Sequence, residues 1–163
     1  MRVGLESPQQ PDVEALIEAL DAYQDTLYPA EARYVLDVSA LSRPEVRFAV
    51  ARDGSGQALG CGAVVLSAGW GELKRMYVRP EARGTGVAGQ LLHLLEAEAR
   101  ACGCPALKLE TGPFQPEALA FYAAQGFARC GPFGDYPDHP MSVFMQKALP
   151  TLDPANPAKL IQP

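Results

Sequence analysis

The residues with the plainest chemical consequence are the glycines of Arg83-Gly84-Thr85-Gly86-Val87-Ala88-Gly89, placed after the apolar, β-prone run from Leu73 to Val78. A helical pattern follows, with Ala88, Leu91, Leu92, Leu95 and Ala99 recurring on one face. Backbone N–H groups at a helix start lack intrahelical acceptors and sit at the positive end of the dipole. A turn free of bulky Cβ atoms lets a phosphate reach those donors. The stretch therefore reads as a diphosphate cradle, with Arg75, Arg79 and Arg83 as a nearby cationic cluster. Gly84 to Gly89 also satisfies the dinucleotide fingerprint G-x-G-x-x-G, and Glu110 ends the next strand, where a ribose-binding carboxylate would stand. That motif places its first glycine almost directly after the strand, whereas Arg79-Pro80-Glu81-Ala82-Arg83 intervenes here. It also sits mid-chain, with less sequence after it than a doubly wound sheet needs. The lack of Gly-Lys-Ser/Thr excludes a P-loop.

Arg83, Gly86 and Ala88 also fit Arg/Gln-x-x-Gly-x-Gly/Ala. Downstream, Gln115-Pro116-Glu117-Ala118-Leu119-Ala120-Phe121-Tyr122-Ala123-Ala124-Gln125-Gly126-Phe127 follows Asn-x-x-Ala-x-x-Leu/Phe-Tyr-x-x-x-Gly-Phe, with Gln115 in place of the asparagine. Glu72 stands in the strand before the cradle. On these three features the second half of the chain resembles the GNAT family of N-acetyltransferases. The resemblance implies an α/β (α+β) fold with a mixed, mostly antiparallel central sheet of about six or seven strands and about four helices. It implies acetyl-CoA as the acetyl donor and no metal. Arg83, Gly84, Thr85, Gly86, Val87, Ala88 and Gly89 would grip the diphosphate through the main chain. Met76, Tyr77 and Val78 would face the pantetheine and thioester, and Gln115 would offer an amide to the same arm. The ending from Gly131 to Met145 resembles that of small bacterial acetyltransferases.

Acetyl transfer to an amine sets three demands. A lysine-like ammonium, of pKa ~10.4, must lose a proton before it can attack. The developing oxyanion needs donors, and the departing sulfur benefits from an acid. By family spacing Glu72 is the first candidate for the base, acting through a water, and Glu110 on the neighbouring strand is the second. By alternation Glu72 shares a face with Lys74 and Met76 unless a bulge intervenes. Tyr122 matches the family tyrosine that approaches the thioester sulfur. Tyr28 and Tyr34 fall where the family builds one wall of its acceptor pocket, although packing aromatics serve equally well as a reading. Tyr136 lies in the long connection from Pro132 to Pro140, a length that marks a functional loop. Asp135 and Asp138 there favour a cationic amine, whereas Arg33, Arg43 and Arg47 would suit a carboxylate-bearing one.

The expected reaction moves acetyl to a primary amine of a small molecule or amino-acid derivative, by direct attack in a ternary complex. A protein or peptide amine is the alternative acceptor, and a non-catalytic coenzyme A-binding regulator is the alternative class. The formal charge of −5 without a basic block argues against nucleic acid or an anionic membrane as partner. No apolar run reaches membrane-span length, and Met1 to Glu6 reads as a strand rather than a signal peptide, so a cytoplasmic setting is expected. Cys61, Cys102, Cys104 and Cys130 have neither zinc nor disulfide spacing. His93 reads as solvent-facing, and His139 as exposed beside two aspartates. Dimers are common in the family, which leaves a homodimer open.

Several elements must position this chemistry. Arg2 to Ser7 is expected as a strand, followed by a helix from Pro11 to about Thr26 carrying Val13, Leu16, Ile17, Leu20 and Leu27. A shorter helix is expected over Glu31 to Leu36. Val46 to Ala51 and Ala58 to Ser67 form a hairpin, with Gly60 and Gly62 marking a bulge or close backbone approach. Ala106 to Glu110 is a strand, and Pro116 opens a helix that Gly126 caps. Phe127 to Gly131 and Met141 to Gln146 close the sheet. The domain spans 1–149, and 150–163 reads as a loose, proline-rich tail.

Overall fold

The computed structural model describes residues 1–153 and 156–161. Its elements are β1 (Arg2–Leu5), α1 (Pro11–Asp25), α2 (Val38–Leu41), β2 (Val46–Arg52), β3 (Ala58–Leu66), β4 (Gly71–Val78), α3 (Val87–Ala101), β5 (Ala106–Thr111), α4 (Pro116–Ala124), β6 (Ala128–Cys130), β7 (Val143–Ala148), β8 (Thr151–Asp153) and β9 (Asn156–Ile161). Seven strands form one sheet in the order β1-β2-β3-β4-β5-β7-β6. Every neighbouring pair is antiparallel except β4–β5. This is the mixed, mostly antiparallel sheet with four helices that the sequence predicts.

Side-chain alternation divides the core between the two faces of the sheet. Ala49 and Ala51 of β2 join Leu91, Leu92, Leu95 and Ala99 of α3 on one face. Phe48 and Val50 join Val13, Leu16 and Ile17 of α1, with Leu41 of α2, on the other. The α3 stripe is as expected except at its start, where Val87 rather than Ala88 is buried. Glu96 lies on that buried face too, and the Lys147 ammonium neutralises it at 2.7 Å. α1 is held at its start by Arg52, which reaches Glu6 at 2.9 Å and Asp12 at 2.6 Å.

β4 carries one residue more than β3 opposite it. The register runs from Ala63↔Lys74 to Cys61↔Tyr77, and Arg75 takes φ +59°. Such a bulge sends two successive side chains to the same face. Lys74 and Arg75 both turn toward the α1 side, where Arg75 makes a two-pronged bond to Asp21 at 2.8 and 3.0 Å. Met76 is thereby moved to the α3 face, off the face of Glu72 and Lys74 where simple alternation puts it. Gly62 makes room for it: a Cβ there would lie 2.2 Å from the Met76 sulfur.

Residues 31–36 do not form the expected helix. One 3-10 turn spans Ala30–Ala32, the chain runs without regular structure to Asp37, and α2 begins at Val38 with the Asp37 carboxylate capping Ala40 N–H at 2.8 Å. The groups of 33–34 are engaged at long range instead. Arg33 reaches back to Asp21 and Asp25, and the Tyr34 carbonyl accepts from the Lys74 ammonium at 3.0 Å. The tail also differs from the expected loose segment, since β8 and β9 pair antiparallel as a separate hairpin. Residues 154–155 and 162–163 of that segment lie outside the described residues.

The Arg75–Asp21 pair ties α1 to the bulge. Asp21→Asn should cost about 2 kcal/mol at neutral pH, because it weakens charge-assisted bonds to a buried guanidinium. Arg75, first by hydrogen bonding and then by charge, holds the Asp21 carboxyl below its usual range. Its share of stability is therefore present above that range and lost as pH falls through the lowered pKa. Urea unfolding across the acid range should show a flatter pH dependence for the variant than for the wild type.

Candidate active site

Two cavities meet at the bulge. The larger, about 610 Å³, opens where β4 and β5 separate. Those strands pair only at Gly71↔Leu107 and Glu72↔Lys108, so the later part of β4 keeps a free edge. Met76, Tyr77 and Val78 line the cleft from that edge. Arg83, Gly84, Gly86, Val87, Ala88 and Gly89 line it from the cradle, and Gln115 and Tyr122 from α4 and its approach. Gln90 N–H closes the first turn of α3 on the Gly86 carbonyl at 3.1 Å, which leaves the N–H groups of Val87, Ala88 and Gly89 without intrahelical acceptors. Gly84 and Gly86 take φ +76° and +88°, and a Cβ on either would meet nothing within 4 Å. Open space over unpaired donors at the start of a fifteen-residue helix fits a diphosphate. A free β-edge beside it fits the amide-bearing arm of coenzyme A.

The cationic cluster expected around the cradle is not formed. The bulge turns Arg75 to the opposite face, and Arg79 Nε donates to the Ala58 carbonyl at 2.6 Å. Arg83 alone of the three lines the cleft, with its guanidinium over the Tyr77 ring at 5.7 Å and its Nε bonded to the Val78 carbonyl. Thr85 is not on the lining; its hydroxyl turns back to the Ala82 carbonyl at 2.5 Å.

The smaller cavity, about 110 Å³, lies on the far side of Tyr122. Leu20, Met76, Gln115, Ala118 and Tyr122 belong to both linings. Tyr28 and Tyr34 form part of its wall, as do Arg33, Lys74, Arg75 and Glu110. The Tyr28 hydroxyl accepts from Phe114 N–H at 3.0 Å, and its ring stacks on Phe114 at 5.6 Å. Burial raises the pKa of Tyr122 far above that of a free phenol, so its proton is retained at any working pH. Burial also lifts the Glu110 carboxyl, to about 7.

Glu72 lines neither cavity. Its carboxylate accepts from the Tyr136 hydroxyl and pairs with Lys74 at 3.2 Å, while Lys74 donates to the same hydroxyl. Tyr136 is likewise absent from both linings; it packs edge-on against Tyr34 at 5.2 Å and Phe144 at 5.6 Å. Sequence reasoning missed the part played by Lys74, although its two-residue spacing from Glu72 was a usable signal. The Asp21–Arg75 and Asp21–Arg33 contacts left no signal at all. His93 is exposed, and among the described residues no three of His, Cys, Asp or Glu gather as a metal-holding group. Among the same residues no helix is long and apolar enough to cross a membrane.

The glycine cradle at a helix start, beside a bulged strand that parts from its parallel neighbour, defines a coenzyme A-dependent acyltransferase fold. Residues 13–127 match the acetyltransferase (GNAT) family model, and the chain belongs to that family. It is 50% identical over 149 residues to an IAA acetyltransferase of Azospirillum brasilense, covering 90% of this chain and 97% of the relative. A solved structure from Klebsiella pneumoniae, assigned as an acyl-CoA N-acyltransferase, superposes at a TM-score of 0.77 with 40% identity over 91% of this chain and 97% of the other. PaiA N-acetyltransferase of Thermoplasma acidophilum, solved with coenzyme A, shares the fold at a TM-score of 0.66 and 18% identity, covering 91% and 99%. The protein is an acetyltransferase that draws its acetyl group from acetyl-CoA.

Gly86→Val should weaken coenzyme A binding at least tenfold, because a β-branched residue is strained at φ +88° and would crowd the approach to the N–H donors. Isothermal titration of coenzyme A into the free protein measures it, with circular dichroism as the control for folding.

Proposed function

We propose that the enzyme acetylates a primary amine of a small molecule or amino-acid derivative by direct attack in a ternary complex. One observation carries this reading: the second cavity is only about 110 Å³ and joins the cofactor cleft through Tyr122, Met76 and Gln115. A space of that size suits a compact acceptor group rather than a length of peptide. Bound acetyl-CoA supplies an activated acetyl carbon and a sulfur leaving group. Tyr122, protonated and shared by both walls, gives its proton to the departing sulfur. The main-chain N–H groups of Met76 to Val78, on the free edge of β4, orient the arm and stabilise the developing oxyanion.

The acceptor cavity holds both signs of charge. Arg33, Lys74 and Arg75 face it together with Glu110, while Asp21 answers the two arginines. An amino-acid-like acceptor, which carries an ammonium and a carboxylate, matches this mixture better than a simple alkylamine. The relative at 50% identity is named for IAA, so IAA belongs in the acceptor panel.

The test is acetyl-CoA consumption, followed by thiol release, against amines, amino acids, a lysine peptide and IAA. Turnover should be highest with a compact amino-acid-like amine. Tyr122→Phe should lower kcat roughly a hundredfold and leave coenzyme A affinity unchanged. Binding of coenzyme A without turnover of any acceptor would instead mark a regulator, and preference for the peptide would move the assignment to protein amines.

A further inference from the structure

We infer that Glu110, and not Glu72, is the residue that takes the proton from the acceptor amine. The inference rests on the amine reading given above and adds to it the identity of the base. Three observations point the same way.

The first is access. Glu110 lies on the wall of the acceptor cavity, which it shares with Tyr122, whereas Glu72 lies on the wall of neither this cavity nor the cofactor cleft. The β4–β5 ladder explains the difference. Its last pair is Glu72↔Lys108, so Glu72 sits where the strands are still joined. Glu110 lies two residues further along β5, past the point of separation, on the same side of that strand as Lys108.

The second is prior engagement. The Glu72 carboxylate is taken up by the Tyr136 hydroxyl and the Lys74 ammonium, which are also bonded to each other. That closed set of three positions Lys74 and Tyr136; it does not leave a carboxylate aimed at a substrate.

The third is the electrostatic setting. Burial is the main cause that lifts the Glu110 carboxyl to about 7; Lys74 and the nearby Ser142 hydroxyl oppose the rise and Glu72 adds to it. Tyr28, from the segment after α1, and Tyr136, from the β6–β7 connection, also feel its charge. A base poised there is partly ionised at neutral pH and strong enough to receive a proton.

Glu110 takes one proton from the ammonium, freeing the nitrogen lone pair. That pair forms the C–N bond to the acetyl carbon, and the C–S bond breaks with its electrons leaving on sulfur. Tyr122 gives its phenol proton to that sulfur and recovers one from the new amide nitrogen. Glu110 then releases its proton to solvent, so one proton leaves per turnover.

The experiment compares wild type, Glu110→Gln, Glu110→Asp and Glu72→Gln. In wild type, kcat/KM for the best amine should rise with pH through a limb near 7, as Glu110 ionises. Glu110→Gln should lose that limb and at least about a hundredfold in kcat. Glu110→Asp should keep a limb at reduced kcat, which guards against a variant that merely misfolds. Glu72→Gln should keep the limb and move it to lower pH, since a negative charge beside Glu110 is gone. In the free protein, NMR of glutamate carboxyls labelled with carbon-13 should show one group titrating near 7 that is missing only from the Glu110 variants.

A limb that survives in Glu110→Gln but vanishes in Glu72→Gln overturns the inference, as does a titrating signal that survives in Glu110→Gln. Failure of the wild type to acetylate any amine overturns the amine reading and the base role with it. Turnover that persists in Glu110→Gln with its limb intact overturns the base role alone.

Discussion

At Lys74–Arg75 the central strand holds one residue more than its partner, and Arg75 sits at φ +59°. A non-glycine residue in that region costs roughly 1–2 kcal/mol. The two-pronged pair with Asp21 offsets the strain, since it neutralises a nearly buried guanidinium and engages both of its terminal nitrogens. Much of the site follows from that one extra residue. Lys74 and Arg75 face the smaller cavity together. Met76 crosses to the α3 side and lies against both cavities. The later part of β4 parts from β5, and backbone groups that a regular sheet would consume are left for a ligand.

The same economy of polar groups holds across the interior. Glu96 on the buried face of α3 is answered by Lys147, Arg52 by Glu6 and Asp12, and Glu72 by Tyr136 and Lys74. Glu110 stands apart from these. It is half-buried on the wall of the smaller cavity without an ion-pair partner at bonding distance among the described residues, and desolvation there raises its carboxyl. A charge left without such compensation is expensive in a structural role and useful in a chemical one.

The long connection between β6 and β7 lines the smaller cavity through Met141 and otherwise acts through packing. Phe133 is buried against Trp70, Tyr136 and Phe144, with ring centres 5.2 to 6.0 Å apart. Lys108 sits over the Trp70 and Phe133 rings. This packing fixes Tyr136, and through its hydroxyl the positions of Glu72 and Lys74. The family likeness accounts for the shared sheet and cradle. The α1-to-α2 segment and this loop both contribute to the wall of the smaller cavity.

Much was legible in the sequence because it is local. The glycines before a helix with period 3.6, the alternation in β5, and the Pro116 and Gly126 that bound α4 each state a backbone preference within a few residues. The glycine turn, the long helices and the succession of strands along the chain followed from those. The helix expected over 31–36 did not form, because Arg33 and the Tyr34 carbonyl are satisfied by Asp21 and Lys74, residues distant in sequence that only folding brings near. The cationic cluster and the face of Met76 were misread for a different reason. A single inserted residue reverses alternation and leaves no compositional mark. Glu72 and Tyr136 lie 64 positions apart, and nothing short of the folded loop joins them. The sequence by itself determined that the chain has a glycine turn opening a long helix and the elements around it, since propensity and periodicity act at short range. Which carboxylate reaches the smaller cavity was decided by tertiary structure alone, since burial, strand separation and prior hydrogen bonding are properties of neighbours in space.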